Sequence, residues 1–291
     1  MKIIGIDQNK CIKCGQCINE CQARVFYKED DEVKFEDPFD ICIKCGHCLA
    51  VCAPSAIITE DAEAFEFEEA RDPSQIIDYE YLMRLYRGRR SIRQFKKKEI
   101  PRDVIEKILE AMRYAPSGSN LQSWNYIVLT DPERIKYLGD ETVKLLQLAK
   151  KALKFKFILR FFVSGNTKQV LLDPKNELRL EKFLADYEAG KDVVFYDAPC
   201  VIVLHSPKYG GIAGNDAGIA FTHGMFAAQS LGLGSCWIGF AQEAVNRKGK
   251  LRKWLQIPKG RNVQGVLAIG YPNVQFHRAP PRKELKVQWF E

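Results

Sequence analysis

The chain has 291 residues, 46% of them hydrophobic and 11% aromatic, which is enough to bury the core of one or two domains and excludes a disordered or low-complexity chain. Its net charge of +7 joins two parts of opposite sign, −8 over residues 1–70 and +15 over residues 71–291, which either steers charged partners or marks a solvated acidic face. The opening MKIIGIDQNK lacks the long apolar stretch of a secretory signal, and no apolar run reaches the roughly 18 residues of a spanning helix, so a cytoplasmic location is expected.

Eight of the ten cysteines lie in two runs. CIKCGQCINEC at 11–21 recurs as CIKCGHCLAVC at 42–52, identical at seven of eleven positions. Both are spaced Cys-x-x-Cys-x-x-Cys-x-x-x-Cys. Intervals of three gather three thiolates at one corner of a loop, while the fourth, one helical step further on, points away and must serve a neighbouring group. Zinc sites instead present cysteine pairs across a longer span. Residues 1–60 resemble the bacterial two-cluster ferredoxins, in which the fourth cysteine of each run ligates the other cluster. The resemblance implies a small α+β fold with two 4Fe-4S clusters, one on Cys11, Cys14, Cys17 and Cys52, the other on Cys42, Cys45, Cys48 and Cys21. Gln22 stands where that pattern has a proline, and in the second run the proline is displaced to Pro54.

Between and after the runs, ARVFYKEDDEVKFEDP alternates apolar and polar residues around an acidic turn at Glu29–Glu32 and reads as a hairpin. The acidic stretch that follows ends in a Pro-Ser pair, so a first domain is expected over residues 1–70. His47, inside the second run, is expected to face solvent, since four thiolates already complete its cluster.

A second domain is expected over residues 79–291, where helix-length periodic segments alternate with short apolar runs. PRDVIEKILEAMRYA carries Val104, Ile105, Ile108, Leu109 and Met112 at helical spacing. WNYIVLTD, APCVIVLHS and NVQGVLAIGYP read as buried strands, and DAGIAFTHGMFAAQSLGLG as a central helix, giving an α+β class. Residues Val143–Phe162 read as a basic amphipathic helix with an aromatic end, which suits a lid or a subunit interface, or less well a membrane surface. A charged helix is expected around Glu177–Tyr187. Cys200, Cys236 and His223 are expected in the core.

Three polar stretches punctuate this domain. RGRRSIRQF sets Arg89, Arg90, Ser91 and Arg93 close together, a donor set for a phosphate monoester, although a solvated basic turn or a nucleic-acid patch has the same composition. APSGSNLQSW offers small residues (Pro116, Ser117, Gly118, Ser119) that let backbone amides approach a ligand, with Asn120 and Gln122 as side-chain partners. LGLGSCWIGF is a glycine-rich turn after a helix; Trp237 stands where a dinucleotide fingerprint needs its third glycine.

In this order, and with HRAPPRKE near the end, these stretches resemble the nitroreductase family of FMN enzymes from about residue 84 onward. The resemblance implies FMN phosphate contacts from Arg89, Arg90, Ser91 and Arg93, closed by Arg278 or Arg282. It implies further contacts from Pro116, Ser117, Asn120 and Gln122, with Ile238 and Gly239 against the flavin ring, and a homodimer with FMN at its interface. No general acid or base is named, because the chemistry is the flavin's own. Two one-electron clusters can together fill one two-electron flavin. The expected activity is therefore transfer of electrons from an external ferredoxin-like donor through the clusters to a small aromatic or quinone acceptor. The alternative is an electron-transfer or redox-sensing module without turnover of its own. Nucleic-acid binding is not expected, because the arginines are accounted for by phosphate.

Overall fold

The computed structural model describes residues 1–61, 71–159, 161, 172–208 and 212–291. It divides into two compact units, Met1–Tyr79 with Pro116–Gln122, and Glu80–Ala115 with Ser123–Glu291.

In the first unit, β1 (Ile3–Ile6) pairs antiparallel with β4 (Ile57–Thr59), and β2 (Phe26–Glu29) with β3 (Glu32–Phe35). The second pair is the expected hairpin. Its two turn residues, Asp30 and Asp31, have φ of 47° and 61°, the left-handed pair that a two-residue turn needs to match strand twist. Phe26 and Phe35 stand opposite one another with ring centroids 5.1 Å apart. The cysteine repeat is also a backbone repeat. Lys13 and Lys44 take φ of 57° and 55°, Gly15 and Gly46 take 72° and 79°, and each glycine opens a short helix, α1 (Gln16–Glu20) or α2 (His47–Ala50). Glycine is needed there because each turn enters its helix through a left-handed residue. A small core of Ile3, Val25, Phe26 and Cys48 closes the unit, and His47 is exposed. The pair β1 and β4 was not anticipated, since IIGI and IIT are too short for alternation to register.

The second unit contains, in order, α3 (Tyr79–Gly88, beginning at the first unit's last residue), α4 (Arg102–Arg113), β5 (Asn125–Leu129), α5 (Pro132–Leu153), α6 (Lys156–Leu159), α7 (Pro174–Glu188), β6 (Cys200–Pro207), α8 (Ile212–Ser230), β7 (Gly234–Trp237), α9 (Gly239–Arg247), α10 (Gly249–Trp254) and β8 (Arg261–Gly270). The sheet order is β5-β6-β8-β7, antiparallel throughout. Alternation along β6 explains the layering. Cys200, Ile202 and Leu204 enter one core with Ile105, Ile108 and Met112 of α4 and Ala217 and Phe221 of α8, while Val201 and Val203 enter another with residues of α5, α9 and α10. The sheet thus lies between two helical layers, and β6, buried on both faces, reads as a continuous apolar run. At Gly224 a Cβ would meet Met112 at 2.7 Å, so the absence of a side chain sets how closely α8 approaches α4.

The long basic helix differs from expectation. Asp131 caps α5 by accepting from the amides of Glu133 and Arg134, and Pro132 opens it, but the helix stops at Leu153 and α6 is a separate turn. The buried residues of α5 end at Leu146, so its last turns have no face to bury. Residues 160 and 162 lie outside the described set. The glycine-rich turn is also more than a turn, because its middle, Gly234–Trp237, is strand β7. Among the described residues, no helix is long and apolar enough to cross a membrane.

Candidate functional site

The cysteines fall into two groups. A cavity of about 20 Å³ is walled by Cys11, Cys14, Cys17 and Cys52. Burial pushes the Cys17 thiol up, and neighbouring Cys52 and Cys11 act in the same direction. Burial likewise pushes Cys48 up to about 12, and there the neighbours are Cys45, Cys42 and Cys21. Each group therefore takes three cysteines from one run and the last from the other. Four thiols in each group suit a polynuclear iron-sulfur cluster, in which each metal atom takes one of them. Binding it would displace protons that burial otherwise retains. The Cys52 sulfur accepts from the Ala56 amide at 3.2 Å, and the Asp37 carboxylate takes the amides of Ile41 and Cys42 at 2.8 and 3.1 Å.

The Pro116–Gln122 loop belongs to this same unit. Ser117 Oγ accepts from the Gln122 amide at 3.0 Å, and Gln122 Nε2 donates to Asn120 Oδ1 at 2.8 Å. Asn120 Nδ2 donates to the carbonyls of Lys44 and Ile43 at 2.9 and 3.2 Å. The Asn120 carboxamide, expected to face a flavin, is thus committed to the second cysteine run. Ser119, Asn120 and Gln122 have φ of 50°, 52° and 43°, left-handed conformations that non-glycine residues hold only when their surroundings impose them. Pro116 and Ser119 are exposed, and Ser117 and Gly118 half-buried.

In the second unit the residues after α3 run alongside β7. Ser91 bridges Ser235, and the Ile92 amide donates to the Ser235 carbonyl at 3.0 Å. Alternation buries Ile92 and leaves Arg93 exposed. The approach needs Gly234, because a Cβ there would run into Ile92 and lie 3.0 Å from Pro272. Cys236 lies beside this segment; burial raises its thiol, and the charge of Arg93, hydrogen bonding with Ser91 and the charge of Arg89 pull it back. Burial also raises Tyr196, against a hydrogen bond and the charge from Arg93. The Arg90 guanidinium donates to the Arg89 carbonyl at 2.5 Å and to the Arg278 carbonyl at 3.4 Å. Arg278 and Arg282 are exposed in the C-terminal segment. Arg87, Arg102, Arg113 and Arg247 each pair with a carboxylate, whereas among the described residues Arg89, Arg90, Arg93, Arg278 and Arg282 do not. Arg89, Arg90 and Arg93, close along the chain to the Ser91 hydroxyl and without a carboxylate partner among the described residues, fit a phosphate. Cys236 and Tyr196 are additional members of this neighbourhood. The sequence carried no signal for Tyr196, more than a hundred residues from the motif.

Ile238 is buried and its amide is held by the Val266 carbonyl at 2.8 Å. Gly239 is exposed and opens α9, so its N–H is one of the terminal donors without an intrahelical acceptor, and no side chain caps it. A donor of this kind can meet an electron-rich ring atom. Beyond the motifs, Arg261 holds the start of β5: it donates to the Ser123 carbonyl at 2.6 Å and to His205 Nδ1 at 2.8 Å. His205 must be neutral to accept, and burial first, then the charges of Arg261 and Arg252, lower it to about 4. A cavity of about 860 Å³ beside α5, with Lys136, Asp140, Tyr187 and Asp192 in its wall, contains none of the expected ligands.

Residues 86–271 match the model of the nitroreductase family. The chain belongs to that family. Residues 3–53 match a 4Fe-4S dicluster domain, so this nitroreductase-family chain has an N-terminal dicluster ferredoxin domain. One relative, from Archaeoglobus fulgidus, has the assigned name NADH dehydrogenase/NAD(P)H nitroreductase and is 28% identical over 207 residues, covering 70% of this chain and 93% of that protein. The 4-nitrobenzoate reductase of a Nocardioides species is 26% identical over 212 residues, covering 66% and 80% respectively. A nitroreductase with bound FMN from Desulfitobacterium hafniense superposes with a TM-score of 0.54 at 26% identity, covering 72% of this chain and 97% of that one. The α+β class is thereby established, and the chain is an oxidoreductase.

Proposed function

We propose that the protein is an FMN-dependent oxidoreductase that receives electrons through two 4Fe-4S clusters from an external ferredoxin-like donor and reduces a small conjugated acceptor such as a nitroaromatic or a quinone. The observation that carries the reading is the presence, within one nitroreductase-family chain, of two four-thiol groups and a set of arginines that pair with no carboxylate among the described residues. Cys11, Cys14, Cys17 and Cys52 would hold one cluster, and Cys42, Cys45, Cys48 and Cys21 the other. Arg89, Arg90, Ser91 and Arg93 would bind the FMN phosphate, with Arg278 or Arg282 completing the charge. Gly239 would donate its N–H to the ring, above the packed Ile238.

When bound, FMN supplies two-electron chemistry and the clusters one-electron transfer. The chain's own contribution is to bind, orient and exclude water. Its guanidinium groups neutralise the phosphate, and the amide at the start of α9 favours added negative charge on the ring. The active protein is a homodimer located in the cytoplasm. The relatives' names point to NAD(P)H as reductant, whereas the fused dicluster domain supplies another route.

The test is an anaerobic visible spectrum of the purified chain, with iron, sulfide and FMN assayed in the same sample. NADPH is added first, then ferredoxin reduced with dithionite. Eight irons and one FMN per chain are expected, as stoichiometry demands of two 4Fe-4S clusters, with flavin bleached only after ferredoxin. Rapid bleaching by NADPH alone would make the clusters an outlet, and absence of FMN would leave a carrier.

A further inference from the structure

The two cysteine runs are near-copies, yet their surroundings differ. In the first, the Cys11 amide donates to the backbone carbonyl of Asp7 at 3.0 Å, and among the described residues no side chain donates to the carbonyls of Ile12 or Lys13. The corresponding corner of the second run, Ile43–Lys44, receives both donors of Asn120 at 3.2 and 2.9 Å. Asn120 is fully engaged, because a carboxamide has two N–H donors and its oxygen accepts from Gln122. The Cys42 amide is held by the Asp37 carboxylate at 3.1 Å, while the residue at the matching place of the first run is the apolar Ile6.

We propose that Asn120 is a positioning residue for the second cluster: its carboxamide pins the Ile43–Lys44 corner between Cys42 and Cys45, so that the two clusters, alike in ligands, differ in potential and in how tightly they hold iron. Lys44 is left-handed, with φ of 55°, as is its unbraced counterpart Lys13 at 57°, so what separates the two corners is the carboxamide and not the turn; Asn120 itself, with φ of 52°, is held there against its own backbone preference. Donation to the Lys44 carbonyl also polarises the peptide it shares with Cys45. That makes the Cys45 N–H a stronger donor, which favours the more negative, reduced cluster. The inference rests on the two-cluster reading above and adds to it a residue from outside the cysteine runs.

The experiment compares the full holoprotein with Asn120→Ala and with Asn120→Asp, which keeps the size but replaces the donors with acceptors. Cluster potentials are measured by EPR-monitored titration, iron release to a chelator is timed, and FMN is counted. The two cluster signals are assigned with Cys14→Ser and Cys45→Ser. Removing a hydrogen bond that orients a metal ligand typically weakens metal retention 10- to 100-fold. The expected result is that the cluster on Cys42, Cys45, Cys48 and Cys21 releases iron roughly tenfold faster and titrates at a more negative potential, with the other cluster and the FMN content unchanged. Loss of that cluster alone would say the same. Equal disturbance of both clusters, or unchanged clusters with lost FMN, would overturn the proposal. Fewer than eight irons in the unsubstituted chain would instead count against the two-cluster reading itself.

Discussion

Arg93 and His205 illustrate how single groups set the chemistry of their surroundings. Arg93 acts on Cys236 and Tyr196 and has no carboxylate partner among the described residues, so its charge is available to a bound anion. A hydrogen bond to a charged group contributes about 1.5–3 kcal/mol. Arg93→Ala is therefore expected to weaken FMN retention roughly 10- to 100-fold, read as FMN per chain after gel filtration, and Arg93→Lys to recover only part of it. Full retention in the Ala variant would remove Arg93 from the phosphate site. His205 is the opposite case, a group kept uncharged. It is 7% exposed and accepts from Arg261, and burial and the neighbouring arginines lower its pKa to about 4 from an ordinary value of 6.5. The folded chain thus binds the proton less readily than the unfolded one. The contribution is present above pH 6.5 and lost as pH falls toward 4, up to about 3 kcal/mol. The thermal midpoint should drop between pH 7.5 and 5.5, and His205→Asn, whose oxygen accepts without titrating, should flatten that drop. An identical slope in both proteins would show that other groups carry it.

At the level of elements, what was legible in the sequence was what short-range physics specifies. The apolar spacing of Ile105, Ile108 and Met112 announced α4, and the paired acidic turn announced β2 and β3, because burial and turn geometry are local. Strand β7 was not legible: GSCW is four residues long, and its place is set by β8 on one side and by Ser91 and Ile92 on the other. The cysteine spacing anticipated how the thiols group, three from one run with the last of the other, but nothing in SGSNLQ announced that Asn120 would turn toward Ile43 and Lys44, since that depends on a contact across more than seventy residues. The pairing at β7 gives a direct test of how an element supports the site. Gly234→Ala inserts a methyl against Ile92 and must displace the segment that carries Ser91 and Arg93. Overpacking of this kind costs about 1–3 kcal/mol. A lower thermal midpoint together with weaker FMN binding is expected, and a drop in stability with FMN retained would show that the arginine segment tolerates the shift.

For the whole molecule, the relevant feature is what a single chain leaves uncovered. Leu285, Trp289 and Phe290 are 92%, 80% and 87% exposed in a C-terminal segment without helix or strand, and Phe155 and Phe157 near the end of the basic region are 61% and 64% exposed. Several large apolar side chains exposed along one short segment, as at Leu285, Trp289 and Phe290, are normally covered by a partner. A second copy of the chain is the partner that the family resemblance implies. Covering these side chains would bury apolar area at about 25 cal/mol per Å². The native protein is therefore expected to sediment at twice the 33.3-kDa chain mass at micromolar concentration. The double variant Trp289→Lys/Phe290→Lys should shift toward monomer, because two ammonium groups would have to be desolvated in the interface. If FMN lies between the subunits, its retention should fall in parallel. A native monomer would leave the tail without its partner, and a dimer indifferent to both lysines would move the contact to another face.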